Sequence, residues 1–322
     1  MRLAPFFVVV VSLALVFAFA ARTYSERYAL TFPTSLIIYS SFVALLALAL
    51  LPAFNCKVQF FRYRRSRLLF IFVFCLPYLL YAAGSGDFRA LSLLKLAVIP
   101  TLMLLIYWPV PVKNLEAFCW QDAAAGCSLI AIVLSGFLKG IWNVPVNLDF
   151  MNRLFLIAVA AWTWTELRPV PDLGYTLSPS RKILLRSAQN FLFFAVIAIP
   201  LSLALHFTRW HPRWPGLFPF CLNYLEIFLF IALLEELFFR GFLQSLLSKT
   251  WRRWWSAQLA VSCLFGLFHI LHAPFPNWRY VALATLAGWF YGSAFRQTGN
   301  LTAAVLLHAA VDTTWRTWLS AR

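Results

Sequence analysis

The residues best suited to chemistry lie in ALLEELFFRGFL, residues 232–243, where Glu235, Glu236 and Arg240 interrupt an otherwise apolar run. On a helix each residue turns 100°, so Glu236 and Arg240, four apart, share a face and can pair. Glu235 points 100° away from Glu236. The spacing therefore separates two carboxylates by role. One braces the helix against the arginine, and the other faces whatever packs alongside. A carboxylate in low dielectric without a strong cationic partner can exchange a proton near neutrality, as a general base or acid must. A structural ion-pair cluster between helices accounts for this helix alone equally well.

Two further pairs lie downstream. Phe265 and His269 stand at i, i+4 in FGLFHILH, and His308 and Asp312 at i, i+4 in LLHAAVDTT. Each pair occupies one helical face. Three polar faces on three successive apolar segments are more than scattered packing residues. Helical rise puts Glu235 about 21 Å from Lys249 and His269 about 24 Å from Arg253, measured from one basic turn. His308 and Asp312 lie about 12 and 18 Å from Asn300. If Asn300 is on the same side as that turn, all four groups share one layer.

The elements that must position these groups are membrane helices. The chain has 322 residues, of which 62% are hydrophobic and only 12% charged, and its mean hydropathy is +0.77. A soluble domain carries about a quarter charged residues. Apolar runs at 4–21, 35–54, 68–83, 91–108, 123–142, 150–166, 187–207, 219–247, 254–271, 280–296 and 301–319 approach the roughly 20 residues needed to cross a bilayer. The expected fold is an all-α polytopic bundle of roughly 8–11 spans, with a polar cavity in its C-terminal half. Before residue 166 the ionisable residues lie mostly in loops or near span ends. After 217 they enter the spans as Glu226, Glu235, Glu236, Arg240, His269, His308 and Asp312. A charge at the bilayer centre costs about 2.5–3.5 kcal/mol, so these groups should face one another or a wet cavity. Residues 1–149 thus read as an accessory membrane region and 150–322 as the working domain.

The net charge of +16 sits mainly in short loops, as expected of cytoplasmic loops beside anionic lipid. No basic helix with interleaved aromatics resembles a nucleic-acid surface. The most basic loops are 57–67, the stretch around Arg168, Arg181, Lys182 and Arg186, and 249–254. They fall on one side if the N-terminus is cytoplasmic and the C-terminus outside, which places the polar layer nearer the outer face. Met1–Ala21 has Arg2, an apolar run and Ala18-Phe19-Ala20, features of a cleaved signal peptide. A second apolar run follows closely, which favours an uncleaved first span. Cys56, Cys75, Cys119, Cys127, Cys221 and Cys263 form no CxxC pair and read as packed thiols.

The ordered set EExxxR, FxxxH and HxxxD, with the segment GWFYGSAFRQTGNLTAAVLLHAAVD (288–312), resembles the CAAX-protease and bacteriocin-processing family of intramembrane glutamic proteases, also called abortive-infection proteins. The resemblance covers about residues 150–322. It implies Glu235 as general base, His269 as its partner in activating water, and His308 with Asp312 as the oxyanion site. Glu236, Arg240 and Phe265 would be supports. It implies no cofactor and no metal. The last motif position is often Asn in that family and here is Asp312, which could serve protonated, or by accepting from His308 so that the other ring nitrogen donates. Spacing favours the second. The substrate implied is a membrane-anchored peptide or C-terminal tail, such as a prenylated protein, leader or sorting signal. The setting implied is a bacterial inner membrane and a protein-sorting system. Zinc could instead be held by Glu235, His269 and His308, although HExxH is absent. Intramembrane charges also build transporters, scaffolds and immunity factors that are not enzymes.

Overall fold

A computed structural model describes residues 3–54, 64–110 and 112–321. Most of the basic loop 57–67, Cys56 and Arg2 lie outside the described residues. The described chain is all-α apart from one short pair of strands. Its helices are α1 (Leu3–Arg27), α2 (Phe32–Leu50), α3 (Arg64–Ser85), α4 (Ala90–Tyr107), α5 (Trp120–Leu134) and α6 (Phe150–Trp162). Then follow α7 (Arg181–Ala204) and the strand β1 (Thr208–Trp210). The continuous helical stretch α8 (Leu217–Trp251) comes next. The chain closes with α9 (Trp254–Leu267), α10 (Trp278–Thr298), α11 (Leu301–Trp318) and β2 (Leu319–Ala321).

Among the described residues, five helices are long and apolar enough to cross a membrane: α1, the stretch Phe32–Phe54, α4, α7 and α8. Three shorter apolar helices lie at Leu69–Ser85, Trp120–Leu134 and Trp254–Leu267. The eleven apolar runs of the sequence thus differ in kind. The run 123–142 stops being helical at Leu134 and continues as turns, with Gly136 and Gly140 in the left-handed region.

The chain forms two compact units. One holds the residues up to Leu115 together with Cys119–Pro169; the other holds Glu116–Phe118 and Val170–Arg322. In the first unit α2 packs against α3 and α6, and α4 against α3 and α5. The helix α6 lies in this unit and is buried along nearly its whole length. A polar clasp sits inside it. Arg168 meets Asp122 through Nε and Nη2, both at 3.1 Å, and the two side chains are fully buried. Tyr107 donates to the same carboxylate at 3.0 Å. Arg168, which looks from sequence like loop charge, is therefore a buried structural cation. Its partner lies 46 residues away, beyond the reach of any local pattern.

The second unit carries all three polar motifs. Here α10 packs against α7, α9 and α11, and α11 packs against α7 and α8. Local sequence sets the helix ends. Ser180 caps α7 by accepting from the Ile183 amide, and Asn277 caps α10 by accepting from the Tyr280 amide. Gly299 ends α10 with φ of 64°, a conformation that costs glycine nothing sterically. Asn300 then caps α11 by accepting from the Thr302 amide. The TGN turn thus reverses the chain within two residues, and α10 and α11 become packed neighbours. β1 and β2 pair antiparallel, Arg209 opposite Ser320.

Candidate active site

The carboxylates enter the second unit on an irregular helix. Two wide π-type segments, Phe228–Ala232 and Leu237–Gln244, flank Leu233–Glu236. Such widenings are frequent at functional sites. The regular 100° step used on the sequence did not foresee them, yet the expected pair forms. Arg240 Nη1 donates to Glu236 Oε1 at 3.2 Å, and Nε lies 3.2 Å from Oε2. Neither side chain has any solvent exposure.

Arg240 is held from above and below. Nη2 donates to the Gly288 carbonyl at 2.9 Å. The guanidinium lies over Phe265 at 4.6 Å and Tyr291 at 5.3 Å, within cation–π range. Gly288 is needed for this approach, because a Cβ there would lie 3.1 Å from Nη2 and 3.3 Å from the Phe265 ring. The Phe265 ring therefore braces the arginine as well as a histidine.

His308 joins the cluster from α11. Its Nδ1 donates to Glu236 Oε1 at 2.8 Å. Its Nε2 faces Glu235 Oε2 at 3.9 Å and Asp312 Oδ2 at 3.6 Å. Tyr291 stacks on the ring at 4.6 Å and 16°. Phe265 meets the same ring edge-on at 5.9 Å. The direct contact expected from Asp312 is thus supplied by Glu236, since 3.6 Å exceeds hydrogen-bond length. The physical reason is burial. Glu236 has no access to water, so its Oε1 accepts from both Arg240 and His308, while Oε2 makes only the ion-pair contact to Arg240 Nε. Asp312 stays one-third exposed and solvated.

His269 lies just beyond the end of α9. Its Nδ1 donates to the Phe265 carbonyl at 2.9 Å, which leaves Nε2 with its lone pair. The ring packs on Phe265 at 4.9 Å and edge-on to Tyr280 at 4.6 Å. Phe265 therefore touches both imidazoles. His272 stacks on His269 at 5.6 Å but is exposed, as an end-of-span residue should be. Glu226 is also exposed and lies apart, toward Arg316.

The structure so gathers Glu235, Glu236, Arg240, His308 and Asp312 around one ring, with His269 joined to them through Phe265. Exposure grades the group. Glu236 and Arg240 are sealed, His308 is 4% exposed, and Glu235 and Asp312 are 35% and 34% exposed. A dry ionic base thus carries a wetter pair of carboxylates on either side of an imidazole. This arrangement can hold water and move a proton. Among the described residues, no group of three or more His, Cys, Asp or Glu is arranged to hold a metal ion. Sequence reasoning passed over Tyr291, Gly288 and Tyr280, all on α10. The quoted segment GWFYG contained the first two, but aromatic and small residues in an apolar helix give no signal distinct from packing.

Residues 216–314 match a family model described as Rce1-like, type II CAAX prenyl endopeptidase Rce1-like. No curated protein and no solved structure matches the chain.

Proposed function

Residues 216–314 belong to the Rce1-like group of type II CAAX prenyl endopeptidases, and from that premise we propose a metal-independent route by which this multi-pass membrane protein hydrolyses peptide bonds. Glu235 takes a proton from a water molecule, oriented by the lone pair on His269 Nε2. The water oxygen attacks the scissile carbonyl carbon, and its π electrons move onto the oxygen. His308, protonated on both nitrogens, keeps Nδ1 on Glu236 and donates from Nε2 to the oxyanion. When the intermediate collapses, Glu235 passes its proton to the leaving amine. Glu236 and Arg240 do not touch the reacting atoms; they hold His308 and exclude water from its inner side.

One observation carries this reading: His308 Nε2 sits within 4 Å of both Glu235 and Asp312, while Nδ1 is tied to Glu236. The ring therefore has one structural nitrogen and one working nitrogen. Asp312 supports the site as a carboxylate beside the working nitrogen.

The substrate of this reading is a membrane-anchored peptide or a protein's C-terminal tail, cut beside the membrane of a bacterial cell. Residues 1–149 serve as an accessory membrane region. The test is co-expression of the wild type or Glu235→Ala with the host's membrane proteome, followed by mapping of protein termini. New termini that require Glu235 are expected. Identical termini with both proteins would remove the assignment.

A further inference from the structure

The end of the second unit where α7, α9 and α11 stop is not helical. The chain runs there as turns and the strand β1 over 205–216, and as turns and bends over 268–277. The His211 amide donates to the Trp318 carbonyl at 2.9 Å, and the Arg213 amide to the Thr317 carbonyl at 2.7 Å. These bonds tie the first stretch to the end of α11. Phe207 joins it to the second by packing on Tyr280 at 5.2 Å, and it meets Trp315 at 5.3 Å. Irregular backbone facing lipid is not found in hydrocarbon, where its polar groups would go unpaired. Yet Trp210, Trp214, Leu217, Leu271, Phe275 and Trp278 are 58% to 70% exposed on this end. Tryptophans in such a place belong at the headgroup level, where one side is apolar and the other wet.

Charge narrows the partner. Arg209, Arg213 and Arg279 are exposed among these side chains, and neither 205–216 nor 268–279 contains an Asp or Glu. Arg209 Nε donates to Ser320 Oγ at 3.0 Å, across the strand pair. Among the described residues, the Arg213 and Arg279 side chains enter no hydrogen bond or ion pair. A guanidinium meets a phosphate with two parallel N–H donors. We propose that this end is a docking surface for anionic phospholipid, with Arg213 and Arg279 on headgroup phosphates and the exposed rings at the boundary with the acyl chains. A zwitterionic headgroup carries its own cation beside the phosphate, so unpaired arginines favour lipid with net negative charge. The surface also sets the depth of the polar cluster. Asp312 precedes Trp318 by six residues, about 9 Å along the helix. The half-open carboxylates therefore sit one to two turns beneath the headgroups. The docking itself requires no hydrolytic activity.

The test places the purified full chain in discs of neutral phosphatidylcholine doped with a photoreactive phosphatidylglycerol, and maps labelled peptides by mass spectrometry. Labelling of 209–218 and 271–279 is expected. Excess unlabelled phosphatidylglycerol should compete for it, whereas phosphatidylcholine and inorganic phosphate should not. Arg213→Gln and Arg279→Gln should each lower this labelling about fivefold, the scale of one basic residue beside an anionic leaflet, and together about 25-fold. Arg213→Lys with Arg279→Lys keeps the charge and should keep most of the labelling. Unfolding temperatures in neutral discs should match the wild type, because both positions are exposed and unpaired. Equal labelling by a photoreactive phosphatidylcholine of the same design overturns the anionic preference and the proposal with it. Competition by inorganic phosphate reduces the surface to a free-anion site and overturns lipid docking. Undiminished labelling in the double Gln variant, or labelling confined to other segments, overturns it as well. None of these outcomes bears on Glu235, whose role is read from cleavage.

Discussion

His308 and Glu236 are joined by a 2.8 Å hydrogen bond across 72 residues of sequence. The same Glu236 oxygen accepts from Arg240. A single sealed carboxylate therefore fixes both the arginine that braces α8 and the imidazole that α11 contributes. Its neighbour Glu235, one residue earlier, reaches the opposite nitrogen of that imidazole and is open to water. Two adjacent glutamates thus meet one ring from its two ends, one sealed and the other about one-third exposed.

This division predicts opposite phenotypes for the two glutamates. Glu236→Ala leaves Arg240 as an uncompensated buried charge and frees the His308 ring. Breaking such a pair costs about 3–5 kcal/mol. A large loss of thermal stability in detergent is expected, together with loss of activity. Glu235→Ala should unfold at a temperature close to the wild type. A scan in which Glu235→Ala melts as early as Glu236→Ala would contradict the assignment of roles.

For Glu235 itself the expected loss is in turnover. General acid–base groups contribute about 10²–10⁴-fold. Glu235→Gln preserves shape and should lower kcat by that order, with KM nearly unchanged. Single-turnover cleavage of a prenylated peptide measures it. A variant that retains more than half of wild-type kcat would remove Glu235 from the chemistry.

Asp312 offers a finer discrimination. If it only flanks the working nitrogen of His308, Asp312→Asn, which keeps the shape and removes the charge, should keep activity within about tenfold. Asp312→Leu should lose about 10²-fold or more, on the scale of a missing oxyanion contact. The ratio of the two rates is the informative quantity. A silent Asp312→Leu would confine the site to His308.

Gly266 tests whether packing beneath His269 matters. A Cβ at this position would overlap the Thr285 hydroxyl and lie 2.6 Å from the Val281 carbonyl. Gly266→Ala must push α9 away from α10, at a cost of about 1–3 kcal/mol or more. His269 is three residues away, so turnover should fall beyond what the lost stability explains. Activity measured well below the unfolding temperature separates the two effects. Unchanged activity there would show that His269 tolerates a shifted helix.

Chelation separates the metal-free route from a zinc-dependent one. Dialysis against a strong chelator is expected to leave hydrolysis unchanged, and added zinc should not raise it. Loss of activity that zinc restores would assign Glu235 and the histidines as ligands.

The sequence by itself determined the broad class and which polar residues enter the apolar runs. Apolar runs near bilayer length leave little alternative to membrane helices, and charges inside such runs must converge on one another or on water. The i, i+4 spacing was enough to pair Glu236 with Arg240, because that contact is local to one helix. Contacts between helices were decided only by tertiary packing. The sequence reading linked His308 to Asp312, its neighbour on α11, but the ring is anchored by Glu236 on α8. Arg168 looked like loop charge until Asp122 was brought against it. Periodicity records which face a residue occupies on its own helix. It carries no information about which face of another helix arrives opposite, nor about the wide turns in α8 and the close approach at Gly288 that set the final distances.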